Sequence, residues 1–404
     1  MGRYEQYKDS GIPWLEEIPT HWNIERGKSI LTLLERPVRE DDEIITCFRD
    51  GEVTLRKNRR EEGFTVSLKE IGYQGIEPGD LVVHGMDGFA GSIGVSDSRG
   101  KATPVLNVMD SKQNKRFLMY YLRMAAYKDV FMSLSTGIRV RSCDLRWNKL
   151  SVFPFILPTM EEQGKIAEYI DNMLKKIDSV IAEAKASIEE YKQWKASIIY
   201  EAVTKGLDPN AEMKDSGVEW IGEMPKHWGK TALKNLCMMQ SGKNITSEQI
   251  SDEGEYPVYG GNGIRGYYSE YNTEGNFLTV GRQGALCGNV HKVFGQIWAT
   301  EHAVVTRPKE NIDLDYLYYH LIAMDLNQYA SNTAAQPGLA VGMILTKQSL
   351  IPPIQEQIEI KKYLENKCTA IDSLISEKES LISDLEDYKK SLIFEVVTGK
   401  RKVV

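Results

Sequence analysis

The sequence predicts an α+β chain built twice over: two mixed α/β inserts carried by two long helices that pair as an antiparallel coiled coil, internally duplicated about a pseudo-two-fold. Three observations carry that prediction. One sequence block recurs 206 residues on, a second recurs 194 residues on, and apolar residues at heptad spacing follow each copy of the second. At 404 residues, 42% hydrophobic and 26% charged, the chain has material for more than one core and is neither disordered nor fibrous in composition.

The first block, Lys8-Asp9-Ser10-Gly11, returns as Lys214-Asp215-Ser216-Gly217. Trp14, Glu17, Pro19 and His21-Trp22 return as Trp220, Glu223, Pro225 and His227-Trp228, nine identities in fifteen positions. In the second block Leu157-Pro158-Thr159-Met160-Glu161-Glu162-Gln163 answers Ile351-Pro352-Pro353-Ile354-Gln355-Glu356-Gln357. Ile177-Asp178-Ser179 then pairs with Ile371-Asp372-Ser373, and Lys195 with Lys389. The segments between do not match. The expected organisation is therefore a repeat segment over 1–22, an insert over 23–156, a long helix over 157–206, the second repeat segment over 207–228, a different insert over 229–350, and a second long helix over 351–404.

Residues 160–203 read as one helix whose seam runs through Ile170, Met173, Ile177, Val180, Ala184, Tyr191, Trp194 and Ile198, with Ser187 interrupting it. Thr159 and Glu162 form a T-x-x-E capping box, and Gly206 with Pro209 supplies the stop. The second copy places Leu364, Ile371, Leu374, Leu381, Leu385, Tyr388 and Leu392 on its seam, with Lys367 and Lys378 also at seam positions. It starts on Pro352-Pro353 and ends at Gly399. At about 1.5 Å per residue each helix is about 65 Å long. Such a helix cannot bury its seam alone, so the two copies are expected to pack on each other.

The inserts read as mixed β with some helix. Short strands fall at Asp80-Leu81-Val82-Val83 and 91–95 in the first, and at 256–259 and 277–280 in the second. Helical periodicity covers Phe117 to Met132 and the stretch near Tyr316–Met324. The chain carries a net charge of −7, but unevenly: +3 in the first insert, −2 in the second and −8 in the scaffold. In the first insert Arg56, Lys57, Arg59 and Arg60, with Arg139, Arg141 and Arg146, form basic clusters suited to phosphate contact. Either cluster alone fits a solvated loop face slightly better. The second insert offers Lys243, Asn244, Asn262, Arg265, Tyr267, Arg282, Gln283 and His302, among them the Arg, Asn and Gln types that read purine edges bidentately. Asn262-Gly263 equally fits a plain turn.

A search for catalytic machinery comes back empty. Gly27-Lys28-Ser29 resembles the end of a phosphate-binding loop, but the first glycine of that pattern falls on Trp22. No dinucleotide fingerprint, amino-methyltransferase tetrapeptide or nuclease carboxylate motif occurs. The five cysteines lack C-x₂₋₄-C spacing, so neither a zinc site nor a disulfide framework is expected. His21 and His227 sit at equivalent repeat positions, which points to structural capping rather than catalysis. No stretch is apolar enough to span a bilayer and the N-terminus lacks a signal-peptide core, so a cytoplasmic protein is expected.

In this order, and twice, these residues resemble the specificity (S) subunits of type I restriction–modification enzymes. The carriers are Lys8-Asp9-Ser10-Gly11…Trp14…Pro19…His21-Trp22 with its second copy, and Leu157-Pro158…Glu162-Gln163 with Ile351-Pro352-Pro353…Glu356-Gln357. Two insert stretches add to them, Gly79-Asp80-Leu81-Val82…Gly91-Ser92-Ile93-Gly94 and Tyr256-Pro257-Val258-Tyr259-Gly260…Gly281-Arg282-Gln283-Gly284. The resemblance implies that each insert is a target recognition domain reading half of a split site in double-stranded DNA. It implies that the coiled coil separates them and binds two modification (M) subunits, with restriction (R) subunits joining the complex. S-adenosylmethionine, ATP and Mg would then sit on those partners and no cofactor on this chain, which would be non-catalytic. The competing reading is a stand-alone coiled-coil adaptor whose inserts grip proteins, favoured by the overall acidity.

Overall fold

The computed structural model describes residues 2–59, 70–133, 145–284, 286–331 and 338–403. These fall into two compact units, Met1–Ala184 with Ser380–Val404, and Lys185–Glu379. Two helices dominate, Met160–Lys205 of 46 residues and Ile354–Val397 of 44. Each crosses from one unit to the other, so every unit holds the first part of one long helix and the last part of the other.

Within the second unit the pairing direction is visible. Lys195 Nζ meets Asp372 at 2.7 Å, while Lys192, one turn back, lies near Glu379, about two turns on. Numbers fall on one helix as they rise on the other, so the pair is antiparallel. The first unit repeats the contact with the helices exchanged: Lys389 Nζ meets Asp178 at 2.7 Å. Lys195 and Lys389 are repeat equivalents, as are Asp178 and Asp372, so one ion pair appears twice. Each is half exposed and contributes about 0–1 kcal/mol. They set register more than stability.

The buried stripe of the first helix runs through Ile166, Ile170, Ile177, Ile181, Ala184 and Ile188, and then Ile199, Ala202 and Val203. The second buries Ile360, Leu364, Cys368, Ile371, Leu392, Ile393, Val396 and Val397. Part of the expected seam is therefore corrected. Ile170, Ile177, Ala184, Leu364, Ile371 and Leu392 are buried, and Met173, Tyr191, Ile198 and Leu385 half-buried. Val180, Trp194, Leu374, Leu381 and Tyr388 instead face outward, 38–50% exposed. Where two apolar residues adjoin, as in Val180-Ile181, Leu374-Ile375 and Leu381-Ile382, a heptad frame passes through either. The expected frame took the first residue, whereas the structure turns the second toward the partner. The same one-residue step puts Cys368 on the seam and leaves Lys367 in water.

Each end of the helix pair is closed by a repeat segment. In the first unit Trp22 is fully buried, Tyr7 Oη donates to the Gly399 carbonyl at 2.9 Å, and His21 Nε2 meets Glu162 Oε1 at 3.0 Å. The segment thus joins the start of the first helix to the end of the second. In the second unit His227 Nε2 meets Glu356 Oε1 at 2.8 Å, and Tyr200 Oη donates to the Ile221 carbonyl at 3.2 Å. Here the segment joins the start of the second helix to the end of the first. The copies also differ at the first-turn glutamate. Thr159 N and Oγ1 donate to Glu162 Oε2, completing the capping box. Pro353 stands at that position in the second copy and has no N–H, and Trp228 Nε1 takes the Glu356 Oε2 instead at 2.9 Å.

The inserts leave and re-enter the scaffold through matching two-stranded stems: Asn23–Arg26 against Pro154–Leu157, and Gly229–Ala232 against Gln348–Ile351. Beyond the stems they diverge. The first carries a four-stranded antiparallel sheet in the order Thr32–Leu33, Leu106–Asp110, Leu81–His84, Ile93–Val95. The second carries six strands: Cys237–Ser241, Ala303–Pro308, Thr273–Gly281, Val290–Ala299, Tyr256–Gly260 and Gly263–Tyr268. One pairing in it is parallel, between Tyr256–Gly260 and Val290–Ala299.

Both long helices end on a glycine in the left-handed region, Gly206 at φ +75° and Gly399 at φ +72°. A Cβ at Gly399 would lie 2.6 Å from the Pro19 ring and 3.0 Å from Trp22, while at Gly206 the tightest contact would be 3.1 Å, to Trp228. The left-handed conformation alone costs an alanine about 1–2 kcal/mol. Gly399→Ala is therefore expected to lower the melting temperature more than Gly206→Ala. Equal losses in a thermal melt would contradict this.

Candidate nucleic-acid interface

Each insert is oriented on the scaffold by one buried glutamine. Gln163 is fully buried; its Nε2 donates to the Pro158 carbonyl at 2.9 Å and its Oε1 accepts from Asn114 N at 3.0 Å. Asn114 is the N-cap of the insert helix Lys115–Tyr127. Gln357 repeats this, donating to the Pro352 carbonyl at 2.9 Å and accepting from Asp313 N at 2.9 Å. Asp313 caps the insert helix Leu314–Ala323. A second tie follows: Arg116 meets Asp171 at 2.6 Å in the first unit, and Asp315 meets Lys361 at 2.5 Å in the second. The charges of Lys292 and Lys361 outweigh burial and hold the Asp315 carboxyl below its usual range. Neighbouring residues of one motif thus do separate jobs, Glu162 and Glu356 gripping the repeat segment and Gln163 and Gln357 the insert.

In the first insert, Arg56 and Arg59 line a cleft of about 720 Å³ together with Arg49, His84 and Asp87. Arg56 Nε donates to Thr46 Oγ1 at 3.2 Å. Arg59 lies over the Phe48 ring at 4.3 Å and meets Asp50 at 2.6 Å and Glu52 at 3.2 Å. Lys57 is paired with Glu43 at 2.5 Å. Lys57 and Arg59 thus carry counter-charges from within the insert. Arg146 is exposed and precedes the short helix Trp147–Leu150 as its N-cap. Arg60, Arg139 and Arg141 lie outside the described residues.

In the second insert, backbone contacts gather several of the expected side chains at one end of the six-stranded sheet. Arg282 N donates to the His302 carbonyl at 2.9 Å, Lys243 N to that of Ala299 at 2.9 Å, and Thr300 N to that of Tyr259 at 3.0 Å. Gln283 bridges to Gly338, and Asn262 Oδ1 accepts from Asn289 at 2.8 Å. A Cβ on Gly281 would stand 2.0 Å from the Gly261 carbonyl, which is why the loops can approach so closely. Lys243, Asn244, Asn262 and Gln283 are exposed there and Arg282 half-exposed. Arg265 and Tyr267 lie on the edge strand Gly263–Tyr268, where the Arg265 side chain lies over Gly260 and Tyr267 exchanges backbone bonds with Ser251. Asn262 also opens onto a cleft of about 1020 Å³ that His291, Lys292, Lys192 and Lys195 share.

Arg49, His84 and Asp87 escaped the sequence reading, because none belongs to a charge run. Glu162-Gln163 and Glu356-Gln357 were visible as a repeat, but their division of labour was not.

Residues 225–382 match the family profile described as Type I restriction modification DNA specificity domain. Over 149 residues the chain is 44% identical to the Type I restriction enzyme EcoprrI specificity subunit of Escherichia coli, a match spanning 36% of this chain and 37% of that protein. It is 24% identical over 435 residues to a Methanocaldococcus jannaschii protein provisionally named type I restriction enzyme MjaX specificity subunit, covering 98% of both. In fold it resembles a chain solved in work on complex assembly and conformational transition of the type I R-M system. That likeness has a TM-score of 0.71 at 14% identity and covers 95% of this chain and 99% of the other.

Proposed function

We propose that this chain, which belongs to the specificity-subunit family of type I restriction–modification enzymes, is the subunit that selects the DNA site. Each insert reads one half of a bipartite duplex target, and the helix pair carries the modification and restriction subunits. The observation that carries this reading is one scaffold used twice under two different readers. The stems, the buried glutamines and the histidine–glutamate contacts match between copies, whereas the sheets above them have four and six strands. A protein reading one sequence twice has no reason to diverge above matching stems. The acidity that favoured a protein-binding adaptor sits mainly in the scaffold, where partners would dock, and does not bear on the inserts.

The outward-facing apolar residues support two modification subunits. Met160 and Ile354 are repeat equivalents and both exposed; so are Val180 and Leu374, and Trp194 and Tyr388. The Asp178–Lys389 pair sets Val180 and Tyr388 at the same level of the helix pair, and Lys195–Asp372 does the same for Trp194 and Leu374. An apolar patch that recurs at the same repeat positions fits two copies of one partner, one on each patch. On this reading S-adenosylmethionine, ATP and Mg²⁺ belong to the partners, and this chain contributes site choice and assembly without a catalytic group.

Replacing 229–350 with the corresponding insert of another specificity subunit tests the reading. Methylome sequencing of cells expressing the chimera with its modification subunit is expected to show one half-site changed and the other retained; two changed half-sites would contradict it. Trp194→Ala is expected to shift native mass spectra of the complex toward one modification subunit per chain, and Trp194→Ala with Tyr388→Ala toward none. A double variant that still carries two would place the partner elsewhere.

A further inference from the structure

The cleft of the first insert brings Arg49, Arg56, Arg59 and His84 together beside Asp50 and Asp87. Its walls are the strand Ile45–Cys47 with the loop after it, the turn Arg56–Asn58, and the turn after Leu81–His84. Arg59 is held by two carboxylates and stacked on Phe48. Arg49 is different. It is 63% exposed, and Asp87 Oδ1 holds it at Nη2 at 3.1 Å, which orients the guanidinium while leaving another edge of the fork to a ligand. The same Asp87 donates its backbone N–H to His84 Nδ1 at 2.9 Å, and Met86 N donates there at 3.2 Å. A ring nitrogen that accepts two N–H bonds carries no proton, so the proton of the neutral ring is on Nε2. Burial lowers the His84 pKa, keeping the ring neutral at pH 7. Arg49, Asp87 and His84 thus form one connected unit.

A ligand for this unit must offer adjacent acceptors. In the major groove only guanine sets O6 and N7 side by side, and adenine places an amino donor where O6 would be. A phosphate also accepts, but Asp50 and Asp87 on the cleft wall would repel it and already pair with Arg59 and Arg49. We propose that this cleft is a guanine-reading pocket, with Arg49 as the principal reader, Asp87 as its positioning residue and His84 as a second donor. The proposal rests on the reading of the chain as a DNA specificity subunit and names the base that one position of its first half-site takes.

The test uses the complex with its modification subunit and reads methylation of a duplex library randomised across the first half-site. Arg49→Ala is expected to reduce the preference for guanine at one position by about ten- to a hundred-fold, the discrimination a bidentate pair supplies. Asp87→Asn and His84→Phe are expected to reduce it less, all three leaving the second half-site intact. That intact half-site reports that each variant is folded and assembled. A wild-type first half-site without guanine on either strand would overturn the proposal, as would Arg49→Ala with every preference unchanged. Uniform weakening across all sequences with a shallower salt dependence would also overturn it, since that is the signature of a phosphate contact. A wild-type complex without any bipartite motif would remove the functional reading as well, whereas a clear motif with indifferent variants removes only the pocket.

Discussion

A helix of more than 40 residues with one apolar stripe is marginal in water and must be covered along its length. This chain meets that constraint by duplication, each long helix serving as the other's cover, and the difficulty then moves to the ends. There the last carbonyls and first amides lack partners, and two helices held only along a seam would slide. The repeat segments answer both needs. Trp22 and Trp228 fill the space beside the terminal glycines, while His21 and His227 hold the first-turn glutamates. One short segment therefore fixes the start of one helix against the end of the other.

Energetically the buried contacts of this arrangement outweigh its surface ones. The Lys195–Asp372 and Lys389–Asp178 pairs are half exposed and weak. Gln163 and Gln357 are fully buried, and a buried amide that loses its partners costs about 1–3 kcal/mol. Because those partners are the N-caps of the insert helices, the bonds that secure each helix start also aim each reader. This explains how an insert can change its sheet, its charge and its loops while keeping its attachment: only the stem and one capped helix have to be preserved.

The duplicated frame was legible in the sequence because repetition is visible without knowing geometry. Thr159-x-x-Glu162 announced its capping box, and Pro353 its departure from it. The seam was legible only to within a residue, because adjacent apolar pairs such as Val180-Ile181 leave the facing residue to the angle at which the end segments dock the helix. Inside the inserts, strands with a clear apolar run appeared, among them 81–84 and 277–280. The strand Val290–Ala299, whose apolar residues are broken up by His291, Lys292 and Gln296, did not. Binding residues were least legible. Charge runs drew attention to Lys57 and Arg59, whose carboxylate partners lie outside the run, and away from Arg49 and His84, which Asp87 links together.

If the two ends of the scaffold are equivalent, the inserts should be interchangeable within this one chain. Exchange of 23–156 with 229–350 leaves each insert on a matching stem, above a matching glutamine, on a helix pair related to itself by the repeat. On the proposed reading each insert then takes the other's attachment, and the same two half-sites are read from the opposite strand. Methylome sequencing of cells expressing the exchanged chain with its modification subunit is predicted to return the parental bipartite motif. Loss of one half-site, or a motif with altered halves, would contradict the equivalence on which the whole account stands.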